Sequence, residues 1–159
     1  MEKCSALIIG GSAGSIEVLL KVLPGLDSYL DFPIVIVLHR KSGKDNILTD
    51  ILSTKTQLRV KELEEKEKIK PATIYLAPPN YHTLIEADQT FSLDASEKVN
   101  FSRPSIDVTF ESAAEVFKSH LVCLFLSGAN NDGTNGLKKV KEKGGKVIIQ
   151  NPNSAIVKY

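Results

Sequence analysis

The sequence predicts an α/β protein, a three-layer αβα arrangement doubly wound around a mostly parallel sheet, with one antiparallel hairpin appended. Three observations predict it. The apolar runs Ala6-Leu7-Ile8-Ile9, Pro33-Ile34-Val35-Ile36-Val37-Leu38 and Leu121-Val122-Cys123-Leu124-Phe125-Leu126 lack inside–outside alternation, as strands covered on both faces require. Segments with helical spacing separate these runs, which is the rhythm of βαβ units. A glycine turn, Gly10-Gly11-Ser12-Ala13-Gly14, joins the first strand directly to a helix.

The elements follow in order. A strand near residues 5–9 runs into that turn, and strand–turn–helix context makes Ser12 a candidate nucleophile at an elbow. Glycines there are expected to permit dihedrals that a side chain forbids. The free N–H groups opening the helix suit a developing oxyanion, and they equally suit a phosphate. Both readings stay open locally, although a full G-x-G-x-x-G is absent because positions 12 and 15 are serine. Ile16, Leu19, Leu20 and Leu23 recur at helical spacing over 14–23, as a crossover helix would. The strand 33–38 ends at His39, which lies on the rim of Ser12 if the two strands are parallel neighbours. A helix near 46–52 leads to a strand near 58–61.

The mixed-sign run over 61–68 reads as a solvated turn or short edge, and a strand near 73–77 follows. Thr83-Leu84-Ile85-Glu86 and Thr90-Phe91-Ser92-Leu93 alternate around the joint Ala87-Asp88-Gln89, which predicts the hairpin. Ser105 is a plausible N-cap for a helix over 105–118, with Val108, Ala113 and Phe117 on its apolar face. The strand 121–126 then feeds Ser127-Gly128-Ala129-Asn130-Asn131-Asp132-Gly133 and places Asp132 on a carboxyl-end loop, the rim where ligands gather in open α/β sheets. A helix over 134–143 and a strand over 145–149 close the pattern. Three strands thus each deliver one member of a Ser/His/Asp set to one edge, the set that a serine nucleophile, its base and an orienting acid require.

A length of 159 residues suits one domain, and a net charge of +1 argues against a dedicated nucleic-acid surface. No stretch approaches the roughly 20 apolar residues of a membrane span. The start Met1-Glu2-Lys3-Cys4 runs straight into the first strand, so no signal peptide is expected. Cys4 and Cys123 read as reduced, buried small hydrophobes, consistent with a cytoplasmic protein. No metal-ligand spacing or cofactor signature is visible, and neither a metal nor an organic cofactor is expected.

At this point the motifs resemble the catalytic domain of the chemotaxis protein-glutamate methylesterases. The resemblance spans nearly the whole chain. It rests on Ile8-Ile9-Gly10-Gly11-Ser12-Ala13-Gly14, Val37-Leu38-His39, Tyr75-Leu76-Ala77-Pro78-Pro79-Asn80-Tyr81-His82, Ser102-Arg103-Pro104-Ser105-Ile106-Asp107-Val108, Ser127-Gly128, Asn131-Asp132-Gly133 and Gln150-Asn151. The order Ser, His, Asp also matches, whereas ordinary α/β-hydrolases run Ser, acid, His.

Carried over, the resemblance implies that Ser12 is the nucleophile, His39 the base and Asp132 the orienting acid, with Ala13, Ala129 and Asn130 at the oxyanion and substrate. The family usually has Ser-Thr-Gly-Gly where this chain has Ser12-Ala13-Gly14-Ser15, and Gly-Met-Gly where it has Gly128-Ala129-Asn130. The resemblance further implies a single methylesterase-like domain over 1–159, with no receiver domain ahead of it and a C-terminal strand and helix missing. Its implied partners are the cytoplasmic domains of methylated chemoreceptors, and the catalytic unit is either constitutively open or regulated in trans by a separate receiver or regulatory protein.

Other polar residues carry two readings each. His82 is a ligand or second base, or a structural histidine packing a turn. His120 is a connector. Asp107 favours its own helix's dipole or joins the site. Arg103 meets an acidic receptor surface or pairs with Asp107 or a nearby carboxylate. The function expected is hydrolysis of protein glutamate methyl esters, with glutamine deamidation accessible by the same acyl route. A non-catalytic family member and a nucleotide- or phosphate-binding module are the alternatives.

Overall fold

In the computed structural model, which describes residues 3–12, 14–40, 47–126 and 131–150, the apolar runs become the strands of one parallel sheet. The chain runs β1 (Ala6–Gly11), α1 (Ser15–Val22), β2 (Ile34–Leu38), α2 (Ile47–Ser53), β3 (Arg59–Glu62) and β4 (Thr73–Leu76). It continues through β5 (His82–Ile85), β6 (Phe91–Asp94), α3 (Ile106–Phe117), β7 (Leu121–Phe125), α4 (Thr134–Glu142) and β8 (Lys146–Ile149). The six-stranded sheet has the order β3-β4-β2-β1-β7-β8, and every neighbouring pair in it is parallel.

Successive side chains alternate across the sheet, so each strand feeds two cores. On one face Ala6, Ile8, Val35, Val37 and Cys123 pack with Ile106, Phe110 and Ala113 of α3 and Val140 of α4. On the other, Ile9, Ile34, Ile36 and Ile74 pack with Leu19, Leu23 and Leu52 from α1, the turn after it and α2. Burial on both faces explains why these strands read as continuous apolar runs. Of the helical positions expected to face the core, Leu19 and Leu23 are buried and Ile16 and Leu20 pack at its edge.

The hairpin forms, pairing His82 with Asp94 and Ile85 with Phe91, but as a separate two-stranded sheet. It covers α3 and does not extend the parallel sheet. The Thr109 hydroxyl donates to the Thr83 carbonyl at 2.7 Å, and the Ile85 N–H donates to the Ser112 hydroxyl at 3.0 Å. Phe91 packs edge-on against Tyr75 of β4, with ring centroids 4.9 Å apart. The mixed-charge run supplies the last two residues of edge strand β3, Lys61 and Glu62, and an exposed turn. Beyond that, it ties the hairpin down: Lys66 N–H donates to the Phe91 carbonyl at 2.8 Å, and Phe91 N–H to that of Glu67 at 3.0 Å.

The glycine turn holds for a different reason than dihedral freedom. Gly10 and Gly11 lie in regular strand, and Gly14 is right-handed helical with φ −69° and ψ −12°. Space is what excludes a side chain. A Cβ on Gly10 would stand 2.6 Å from Ile106 Cγ2 and 3.0 Å from Phe110 Cζ, and one on Gly11 would collide with the Ser15 hydroxyl. Missing side chains here let α3 press onto the sheet directly beneath the turn. The conformational requirement falls elsewhere, at Gly133, whose φ of +115° and contact with the Phe125 ring both exclude a Cβ.

Candidate active site

The parallel register aligns Gly10 with Val37 and Gly11 with Leu38, so Ser12 and His39 are the next positions along two adjacent strands. His39 N–H donates to the Gly11 carbonyl at 3.1 Å, extending the ladder to the residue beside Ser12. Alternation from Val35 and Val37 turns His39 toward the α3 face. The Ser12 carbonyl accepts the Ser15 N–H at 2.9 Å and closes the turn into α1, leaving Ser12 itself 7% exposed. Neighbours β1 and β7 are consecutive in space and remote in sequence, which makes the crevice between them the topological switch point. Ser12 follows β1, and Asp132 lies on the connection after β7.

Asp132 is buried at the N-terminus of α3. Its Oδ2 faces His39 Nε2 at 2.8 Å and accepts the Ile106 N–H at 2.6 Å. Its Oδ1 accepts the Ser105 hydroxyl at 2.8 Å, the Asn100 side-chain amide at 2.9 Å and the Asp107 N–H at 3.0 Å. Burial alone pushes this carboxyl up. The hydrogen bonds from His39, from the Asp107 and Ile106 N–H groups and from Asn100 outweigh it and hold the carboxyl below its ordinary value. The positive end of α3 acts in the same direction. An ionised Asp132 has only acceptors, so His39 Nε2 carries the proton of the neutral ring and Nδ1 is left as its basic nitrogen.

Asp107 answers this arrangement from the opposite side. Its own helix was the expected beneficiary of its charge; its Oδ1 instead accepts the Gly133 N–H at 3.0 Å and the Gly136 N–H at 2.6 Å, at the start of α4. Each aspartate therefore caps the helix that the other one adjoins: Asp132, just ahead of α4, caps α3, and Asp107, in the first turn of α3, caps α4. Ser105 occupies the N-cap position of α3, but its side chain makes no cap bond there because Asp132 takes its hydroxyl.

His82 is structural. Its Nδ1 accepts the Ser105 N–H at 3.1 Å and its Nε2 meets the Glu97 carbonyl at 2.8 Å, so both nitrogens of this buried ring are engaged in holding the chain around Ser105. His120 is a connector, joined through Nδ1 to the Lys3 carbonyl at 2.9 Å. Among the described residues Arg103 pairs with no carboxylate; its Nη1 donates to the Ala95 and Ser96 carbonyls at 3.0 Å each. Cys123 is buried and Cys4 half-buried, both are free thiols, and burial pushes both up.

The residue that sequence reasoning missed is Asn100, whose amide touches both Asp132 and Asp107. Its partners lie 7 and 32 residues away, so no local spacing announces it. Ala13, Ala129 and Asn130, the expected oxyanion and substrate residues, lie outside the described residues. Among the described residues, no helix is long and apolar enough to cross a membrane.

A family model described as CheB methylesterase matches residues 7–159. A Leptospira interrogans relative, named a putative protein-glutamate methylesterase/protein-glutamine glutaminase, is 50% identical over 94% of this chain and 78% of its own. A Thermotoga maritima protein-glutamate methylesterase/protein-glutamine glutaminase is 37% identical over 95% of this chain, which spans 45% of that longer protein. The crystal structure of the Thermotoga maritima CheB methylesterase catalytic domain superimposes with a TM-score of 0.93 at 36% identity, covering 98% of this chain and 84% of that one. With sequence and fold agreeing over nearly its whole length, the chain belongs to the CheB methylesterase family.

Proposed function

We propose that this chain hydrolyses methyl esters of protein glutamate side chains, with Ser12 as nucleophile, His39 as general base and Asp132 as the acid that orients His39. The observation that carries the residue roles is the 2.8 Å contact between His39 Nε2 and the buried Asp132 carboxylate, on a histidine one strand over from Ser12. That contact leaves Nδ1 to take the Ser12 proton. Ser12 Oγ attacks the ester carbonyl, methanol departs with the proton from His39, and a glutamyl-enzyme remains. Water activated by the same base then releases the free glutamate. Asp132 stays ionised throughout and stabilises the imidazolium.

Glutamine deamidation follows the same acyl route with ammonia as leaving group, in keeping with the double activity in the relatives' names. The substrates are the cytoplasmic domains of methylated chemoreceptors. Residues 1–159 act as a single catalytic domain. A phosphate-binding module would need neither a base at position 39 nor an acid locked against it, so the hydrogen-bonded pair favours the hydrolase. The test is release of volatile methanol from methyl-labelled receptor cytoplasmic fragments. Time-dependent release above a heat-killed control is expected; none would overturn the substrate assignment.

A further inference from the structure

We propose that Asn100 is a positioning residue of this site: its side-chain amide bridges the Asp132 and Asp107 carboxylates and fixes the carboxylate edge that meets His39. The proposal rests on the assignment of Ser12, His39 and Asp132. Nδ2 donates to Asp132 Oδ1 at 2.9 Å and to Asp107 Oδ2 at 2.8 Å, so both amide hydrogens are engaged. Together with the Ser105 hydroxyl and the Asp107 N–H, this pins Oδ1 of Asp132 and presents Oδ2 to His39. Through Asp107, the same amide is linked to the N–H groups of Gly133 and Gly136, which follow Asp132 at the start of α4.

Few side chains fit this position. Asn100 has φ +53°, a left-handed conformation that asparagine tolerates better than most residues, and Phe101 follows at φ +64°. Val99 and Ser102 clamp the turn with reciprocal backbone bonds of 3.0 Å each. A serine offers one donor where two acceptors wait, and an aspartate places a third carboxylate against two others. The amide is a neutral double donor between like charges.

Among the described residues the amide touches the Asp132 and Asp107 carboxylates, which also act on Glu111 of α3: its carboxyl is pushed up by burial and then by Asp107, while Lys139 pulls it down. Removing the amide leaves more uncompensated negative charge on Asp132. That charge favours the protonated His39 ring, so the acid limb of the pH–rate profile moves to higher pH.

The test compares wild type with Asn100→Gly, which keeps the left-handed backbone and deletes the donors, and with Asn100→Asp, which keeps the shape. The assay is methanol release from the methyl-labelled receptor fragment. For both variants kcat is expected to fall about tenfold to a hundredfold, the scale of a displaced catalytic group, with KM within about twofold. The acid limb should move up for Asn100→Gly and further for Asn100→Asp. A loss accounted for entirely by the unfolded fraction in circular dichroism, with an unmoved acid limb, overturns the proposal. So does a folded Asn100→Gly with wild-type kcat. Full activity in Ser12→Ala would instead overturn the site assignment beneath it, and that outcome is read independently of position 100.

Discussion

Ser12→Ala is expected to abolish methanol release to at least about a thousandfold below wild type while the protein still folds. In a triad that acts as a unit, removing the nucleophile alone costs about as much as removing all three members. The substitution leaves the turn's backbone bond in place: the Ser12 carbonyl accepts the Ser15 N–H and closes the turn. Deleting one hydroxyl is worth about 1 kcal/mol or less. Side-by-side thermal melts and progress curves check both halves. Residual turnover near wild type would remove Ser12 from the chemistry.

Asp132→Asn is expected to lower turnover by about a hundredfold or more, less than the ten-thousandfold seen in a trypsin-like triad because an ester is easier to cleave than an amide. An amide turned toward His39 offers a donor to a nitrogen that should itself donate, and it cannot stabilise the imidazolium. Read as a loop residue, Asp132 would tolerate this change with its fold intact; its buried position argues otherwise. Among the described residues at least five donors converge on its two oxygens, including the Ile106 and Asp107 N–H groups of α3. Whichever way the asparagine turns, an NH2 group confronts at least two of them. A loss of about 1–3 kcal/mol in stability follows from leaving buried donors unsatisfied.

The pH dependence of stability should change with it. The wild-type carboxyl is held below its ordinary value of 3.8, so its contribution is fully present above that pH and is lost as pH falls through the lower folded value. Melts taken from about pH 6 down to about pH 2 should lack that component in the variant. Combining Asp132→Asn with Ser12→Ala should cost little further activity, because the residues act as one unit.

The sheet was legible in the sequence because each strand is buried on both faces. A run such as Ile34–Leu38 needs no partner to identify it, and its end fixes where His39 emerges. Three strand-end residues sharing one rim were legible too, but the order of strands was not: His39 and Asp132 meet across 93 positions because β2, β1 and β7 are consecutive in the sheet. What stayed hidden depends on contacts that no local spacing encodes. Reciprocal capping by Asp107 and Asp132 requires two helix N-termini to face each other. Asn100 becomes meaningful only once both carboxylates stand beside it. Gly10 resembles an elbow glycine, yet it is the approach of Ile106 and Phe110, about a hundred residues on, that forbids a side chain there. The hairpin was predicted from alternation; that it stands apart from the main sheet was decided by Thr109 and Ser112 on α3.

The central claim is that Ser12 attacks the substrate carbonyl with His39 as its base. A fluorophosphonate probe, which captures a serine activated by a neighbouring base, followed by peptide mapping in a mass spectrometer, tests it most directly. One covalent adduct per chain is predicted on Ser12, forming far more slowly in His39→Gln and blocking methanol release as it accumulates. An adduct on another residue, or methanol release that continues undiminished after Ser12 is fully labelled, would contradict it.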